Sequence, residues 1–148
     1  MIGLLQRVRH AAVDVEQQRI AEIGAGLLVL VGVQPHDTEA SAARLLQRLL
    51  GYRVFADDQG RMNRSLRDLA ADNAGLLLVP QFTLAADTRS GTRASFTSAA
   101  DPQLGRQLFE FLVSEAQRAW PRVGSGNFGA DMQVSLVNDG PVTFWLQV

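Results

Sequence analysis

Two uninterrupted apolar runs, Leu27-Leu-Val-Leu-Val-Gly-Val33 and Gly75-Leu-Leu-Leu-Val79, constrain this chain more than any other feature. Neither alternates apolar with polar residues, so neither suits a sheet with one face in water. Both predict strands buried on both faces, which requires other elements to cover them. Pro35 closes the first run, and the second leads into Pro80-Gln81-Phe82-Thr83-Leu84.

The cover comes from two helical stripes. Ala42, Leu45, Leu46, Leu49 and Leu50 recur at the spacing of one helix face, with Asp37 or Thr38 available as cap and Gly51 as stop. Asp101-Pro102 is a strong helix start, a capping carboxylate followed by proline in the first turn. Leu104, Leu108, Phe111, Leu112, Ala116, Ala119 and Trp120 give that helix its core stripe, and Pro121 ends it.

The remaining segments read as short strands and loops. Ile2–Val8 and Ala12–Glu16 form a pair of strands, Gln17-Gln18-Arg19 a turn, Ile20–Ile23 a third strand, and Tyr52–Phe55 another. Asp57-Asp-Gln-Gly60 closes this last one. Arg61, Arg64 and Arg67 would share a face of one helical turn, either as a solvated surface or as a phosphate-binding patch. Ala85–Thr97 reads as an exposed loop. At the end of the chain, two β-type runs flank Asn138-Asp139-Gly140-Pro141, which predicts a hairpin. Fixed carbonyls at such a tip can receive an ammonium group.

About seven strands and two long helices follow, with no linker or repeat, so residues 1–148 form a single domain. The expected class is α/β (α+β): mixed β-sheet layers with the two long helices packed outside. So many strands leave open edges, and dimerisation through the sheet region would cover them.

Composition narrows the function. There is no cysteine, which excludes disulfides, thiolate zinc sites and a cysteine nucleophile. All fourteen basic residues are arginine, and the formal net charge is −1, so RNA binding would depend on a local arginine cluster. The opening segment meets charge at Arg7, too soon for a signal-peptide core, and no run is long enough to span a membrane. A cytoplasmic protein is expected.

Familiar catalytic sets are missing. His10 and His36 lack ligand spacing, so no metal site and no cofactor are expected. Gly24-Ala-Gly26 precedes a strand rather than a helix, and Gly124-Ser-Gly126 is too short for a nucleophile elbow. Gln81-Phe82-Thr83, at the end of a buried strand, is the remaining candidate. Taken alone, Phe82 reads as core and Thr83 as an ordinary strand residue. Beside an exposed polar loop, the three could hold a small polar substrate.

Pro80-Gln-Phe-Thr-Leu-Ala-Ala-Asp87 and Asn138-Asp-Gly-Pro-Val-Thr143 resemble the two signature segments of the bacterial and eukaryotic D-aminoacyl-tRNA deacylases. Gln6-Arg7-Val8, Gly24–Leu30, Gly51–Phe55 and Ala130–Leu136 are similar too, so the resemblance spans the chain. It implies a homodimeric, metal-free carboxylic ester hydrolase acting on D-aminoacyl-tRNA and mischarged glycyl-tRNA. In that family the Gly-Pro pair is cis and enters the partner subunit's active site, where its carbonyls hold the substrate's ammonium. Carried over, Gly140 and Pro141 form the gate, braced by Arg7. Gln81, Phe82 and Thr83 line the adenosine and ester end, and Met132 adds a substrate contact. Pro80 stands where the family usually has serine, and Ala94 where it commonly has proline.

An aminoacyl ester is already activated, so positioning of water and an oxyanion donor can supply much of the rate. Thr83 has no identifiable base beside it, and orientation of substrate or water is its expected role. The competing reading is a non-catalytic dimeric RNA-binding module on the same fold.

Overall fold

The computed structural model describes residues 1–70 and 74–148. Strand β1 spans Ile2–Val15, followed by β2 (Gln18–Ile23), β3 (Gly26–Gly32), helix α1 (Glu39–Gly51), β4 (Phe55–Ala56) and β5 (Met62–Arg64). Then come β6 (Gly75–Pro80), α2 (Pro102–Ala119), β7 (Val123–Ser125) and β8 (Gln133–Gln147), with short 3-10 turns at Leu66–Asp68 and Phe82–Ala85.

The two apolar runs lie at the centre of the main sheet as β3 and β6, paired in parallel from Gly26 with Gly75 to Val31 with Pro80. Both faces are covered, and by different elements. Leu27, Val29, Val31, Leu76 and Leu78 pack with Leu45, Leu49, Leu108 and Leu112 of the helices. Leu28, Leu77 and Val79 point the other way, against Val8, Ala11 and Val13, with Met132, Val134 and Leu136 alongside. Period-2 alternation thus sends one strand's side chains into two separate cores.

The helices follow their caps. Thr38 caps α1, whereas the Asp37 carboxylate accepts the Gln34 N–H at 2.7 Å instead. Asp101 accepts from the N–H groups of Gln103 and Leu104, at 2.9 and 3.1 Å. In α2 the buried aromatic is Phe109, and Phe111 is only half-buried, so the stripe is rotated from the one expected.

Several sequence expectations are corrected. Residues 2–15 form one long strand rather than two, because β3 pairs with Ile2–Val8 and β2 with Ala11–Val15 along the same edge of β1. The turn to β2 falls at Glu16 and Gln17, both with positive φ (49° and 65°), as a two-residue hairpin requires. Of the strand expected at 52–55 only Phe55 is paired, and its short strand runs on to Ala56.

The largest correction concerns the end of the chain. Residues 133–147 are a single strand, not a hairpin, because both halves pair antiparallel with β1. β1 is long enough to template the whole of it, so the chain need not turn back. Gln6 pairs with Thr143 and Val8 with Asn138, two steps on β1 against five on β8. The surplus residues loop out as a bulge made of Asp139, Gly140, Pro141 and Val142.

Candidate active site

The bulge is held by side chains from both strands. Asn138 closes its base: Oδ1 accepts from the Val142 N–H at 2.9 Å, and Nδ2 donates to Thr143 Oγ1 at 2.7 Å. Arg7 faces the bulge from β1. Its Nε donates to the Asp139 carbonyl at 3.2 Å, and its Nη1 donates to the Val54 carbonyl. The Asp139 carboxylate lies 3.2 Å from Arg7 Nε and 3.2 Å from Arg9 Nε. Gly140 has φ of +129°, and a Cβ there would stand 2.8 Å from Val142 Cγ2 and 3.1 Å from Arg7 Nη2. No other residue suits that position. Gly140 and Pro141, joined by a cis peptide bond, are exposed at the tip.

A second cluster forms where β6 ends. Pro80 has no N–H to give, and the next residue, Gln81, donates its N–H to the Val31 carbonyl at 2.7 Å. The chain then tightens into the 3-10 turn at Phe82–Ala85. The Phe82 and Thr83 N–H groups have no acceptor among the described residues. The Gln81 amide donates to Thr83 Oγ1 in a short contact. Phe82 is 58% exposed, not a core residue, and its ring stands 5.2 Å from that of Phe96, itself 48% exposed. Thr83 is exposed and belongs to the 3-10 turn, not to a strand.

Gln81, Phe82 and Met132 line one cavity of about 470 Å³, mostly apolar, with Val31, Phe109 and Phe128 among its walls. Gly126 helps shape it: a Cβ there would lie 2.8 Å from Met132 Sδ and 3.1 Å from Pro80 Cδ. A larger and more open hollow, about 920 Å³, lies between β2 and β7 and contains none of the expected site residues. Site geometry matters more than size here, and the smaller cavity is the chemical candidate.

The structure therefore gathers the expected residues into two groups. Gln81, Phe82, Thr83 and Met132 form one, and Arg7, Gly140 and Pro141 the other. None of the second group lines the cavity of the first. Asn138, which braces the bulge, and Phe96, which pairs with Phe82, escaped sequence reasoning. Asn138 was legible only as a turn-former, and Phe96 lies in a segment read as loop. The loop is pinned by a bridge between Asp87 and Ser95, and the Arg89 side chain holds the Asp87 carboxyl well below the usual range, at about 2.

His10 and His36 are both exposed, and no three His, Asp or Glu side chains converge among the described residues. No helix among them is long and apolar enough to cross a membrane. The three arginines at 61, 64 and 67 do not share a helical turn. Arg64 closes β5, Arg61 precedes it and Arg67 lies in a 3-10 turn, with Asp57 and Asp58 engaging Arg61 and Arg64.

Comparison with known proteins agrees over the full length. The family model described as D-Tyr-tRNA(Tyr) deacylase matches residues 4–147. A D-aminoacyl-tRNA deacylase of Thioalkalivibrio sulfidiphilus is 64% identical over 148 residues, all of this chain and 97% of that one. One of Pseudomonas entomophila is 60% identical, with both chains covered completely. Among solved structures, a c-Myc DNA unwinding element binding protein superposes with a TM-score of 0.92 at 31% identity, covering 100% of this chain and 99% of that one. By the family match and by these relatives, the chain belongs to the D-Tyr-tRNA(Tyr) deacylase family.

Proposed function

We propose that this chain hydrolyses the ester joining a D-amino acid to the 3′ end of tRNA, in a site completed by a second copy of itself. The observation that carries this reading is the separation of the two groups within one copy. Arg7 pairs with Leu27, and Pro80 with Val31. That offset is four residues along β3, about 13 Å, and two strand spacings across the sheet, about 10 Å. The outer edge of β8, the strand that carries the tip, has no strand partner among the described residues. Val137 and Trp145 lie exposed on that strand. An open apolar edge of this kind supports dimerisation through the sheet. A two-fold dimer would give each cavity the other copy's tip.

In this site the cavity of Gln81, Phe82 and Met132 takes the terminal adenosine. Exposed carbonyls at Gly140 and Pro141, aimed by Arg7 and Asn138, receive the substrate's ammonium. Water attacks the ester carbonyl carbon, and the free Phe82 and Thr83 N–H groups stabilise the oxyanion, an effect worth about 10²–10³-fold. Collapse breaks the bond to the ribose oxygen, which takes up a proton. The products are free D-amino acid and tRNA. The ribose 2′-hydroxyl assists, and the Gln81–Thr83 pair orients water or ester.

With ammonium and carbonyl both fixed, a wall on one side of the α-carbon excludes an L side chain. Glycine passes, so glycyl-tRNA is a substrate. A substrate drawn from translation supports a cytoplasmic location.

The test is hydrolysis of D-tyrosyl-, L-tyrosyl- and glycyl-tRNA, together with mixed dimers. The D and glycyl esters are cleaved and the L ester is spared. Co-assembled Arg7→Gln and Thr83→Val chains form heterodimers with one intact composite site, restoring roughly a quarter of wild-type activity. Equal cleavage of D and L esters overturns the gate, and no restoration overturns the shared site. Binding of tRNA without cleavage would favour the RNA-binding module.

A further inference from the structure

The arginines are unevenly placed. Six of the fourteen fall between residues 44 and 67, where Asp57 and Asp58 are the only carboxylates, although the whole chain carries −1. Arg53 and Arg67 are exposed and have no carboxylate within salt-bridge distance among the described residues. Arg64 pairs with Asp58 at 2.7 Å, but Asp58 is 88% exposed. A pair so open to water contributes little and exchanges readily for a phosphate.

The β4–β5 ribbon is nevertheless well held. The Asp57 carboxylate accepts from the Gln59 and Arg61 N–H groups, both at 2.9 Å, and from Asn63 Nδ2 at 2.7 Å. Asp68 anchors the next turn through the Ser65 N–H at 2.8 Å and the Ser65 hydroxyl at 2.6 Å. Arg53 and Arg64 both stand near enough to Asp68 to stabilise its charge, and Arg67 belongs to the same short turn as Asp68.

The root of this ribbon is joined to the gate. Arg7 donates to the Val54 carbonyl and to the Asp139 carbonyl, so a single guanidinium links the residue beside Arg53 with the tip. Tyr52 adds an edge-on contact to Phe144 of β8, with centroids 5.2 Å apart. Ribbon root and tip are thus tied together within one copy. When that tip enters a partner's cavity, the ribbon lies beside the mouth.

From this we infer that the face carrying Arg53, Arg64 and Arg67 grips the acceptor-stem phosphates of a tRNA whose 3′ end occupies the other copy's cavity. The inference rests on the shared-site reading above. One copy supplies the chemistry, while the other supplies the gate and the grip on the backbone. An acidic protein partner fits less well, because the only large apolar side chain exposed on the ribbon is Met62, and interfaces need a buried anchor. Arginine forks suit phosphate oxygens, and such contacts are salt-dependent and sequence-independent.

The test compares D-tyrosyl-tRNA with 3′-O-D-tyrosyl-adenosine, which keeps the ester and loses the stem. The double variant Arg53→Glu/Arg67→Glu loses about 10- to 10²-fold in kcat/KM on the tRNA ester, and its log–log salt slope falls by about 2. Its turnover of the adenosine ester is unchanged. Arg53→Gln/Arg67→Gln gives a smaller loss in the same direction and guards against misfolding. Arg19→Glu/Arg118→Glu reverses the same charge elsewhere and leaves both substrates unaffected. Undiminished tRNA turnover, an unchanged slope, or equal losses on both esters overturns the proposal. If the wild-type chain cleaves neither ester, the deacylase reading falls instead. Salt-dependent binding of uncharged tRNA, weakened by the Arg53/Arg67 variants or not, then decides the surface alone.

Discussion

Arg7 Nε donates to the Asp139 carbonyl at 3.2 Å across 132 residues of sequence, and the same guanidinium reaches the Val54 carbonyl. Its side chain is only 16% exposed, so these bonds are poorly replaced by water. Lysine keeps the charge but cannot reach both carbonyls with a planar fork. Arg7→Lys and Arg7→Gln should both lower kcat/KM for D-tyrosyl-tRNA on the order of 10²-fold, as expected when a reacting group is misplaced by about 1 Å. Stability should fall by only about 1–2 kcal/mol. Steady-state kinetics and thermal melts check the two effects separately.

Gly140 combines φ of +129° with Val142 Cγ2 and Arg7 Nη2 close to where a Cβ would stand. Gly140→Ala therefore strains the bulge whichever neighbour yields. The expected outcome is a loss of about 1–3 kcal/mol and at least a tenfold fall in D-ester hydrolysis. Gly60 also has a positive φ, but nothing lies within 4 Å of a Cβ there, and Gly60→Ala should leave turnover of the stem-less 3′-O-D-tyrosyl-adenosine untouched. The pair separates local strain from displacement of the tip.

Thr83 Oγ1 accepts from the Gln81 amide and has no base beside it to make it a nucleophile. Thr83→Val should lower kcat about 10- to 10²-fold without abolishing it, and Thr83→Ser should restore most of the rate. Complete loss in both, or a trapped acyl-enzyme in the wild type, would assign the hydroxyl to covalent chemistry.

The Asp87 carboxyl, lowered to about 2 by the Arg89 side chain and then by its backbone N–H, belongs to the loop bearing Phe96. Because the folded value lies below the unfolded one, its contribution is present above the unfolded value and lost as pH falls through the folded one. Carboxylate titration by NMR should give a midpoint near 2 in the wild type, and a higher one in Arg89→Ala that stays below 3.8 because the backbone N–H of residue 89 is kept. At neutral pH the loop and the deacylation rate should be insensitive to pH through this group.

The legible parts of this fold were those in which local pattern and burial coincide. Leu27–Val33 and Gly75–Val79 could only be interior strands, and both helices began where Thr38 and Asp101 offer caps. The chemistry was partly legible as well. Gln81, Phe82 and Met132, 51 positions apart at their extremes, reach one cavity through the parallel pairing of β3 with β6 and the approach of Met132 to Gly126. Phe82 was misjudged because aromatic character alone cannot distinguish a core ring from one left in solvent above a pocket.

What the amino-acid order determined by itself was the set of elements and the residues able to do chemistry, since capping, periodicity and φ preference act over a few neighbours. The path of the last strand lay beyond it. Asn138-Asp-Gly-Pro141 satisfies a hairpin as readily as a bulge, and the choice depends on whether one long partner is present for both flanks. β1 supplies that partner, so the surplus residues are extruded rather than turned back. Only the tertiary structure decided this, because pairing energy is set by a strand more than a hundred residues away, and no local preference can register it.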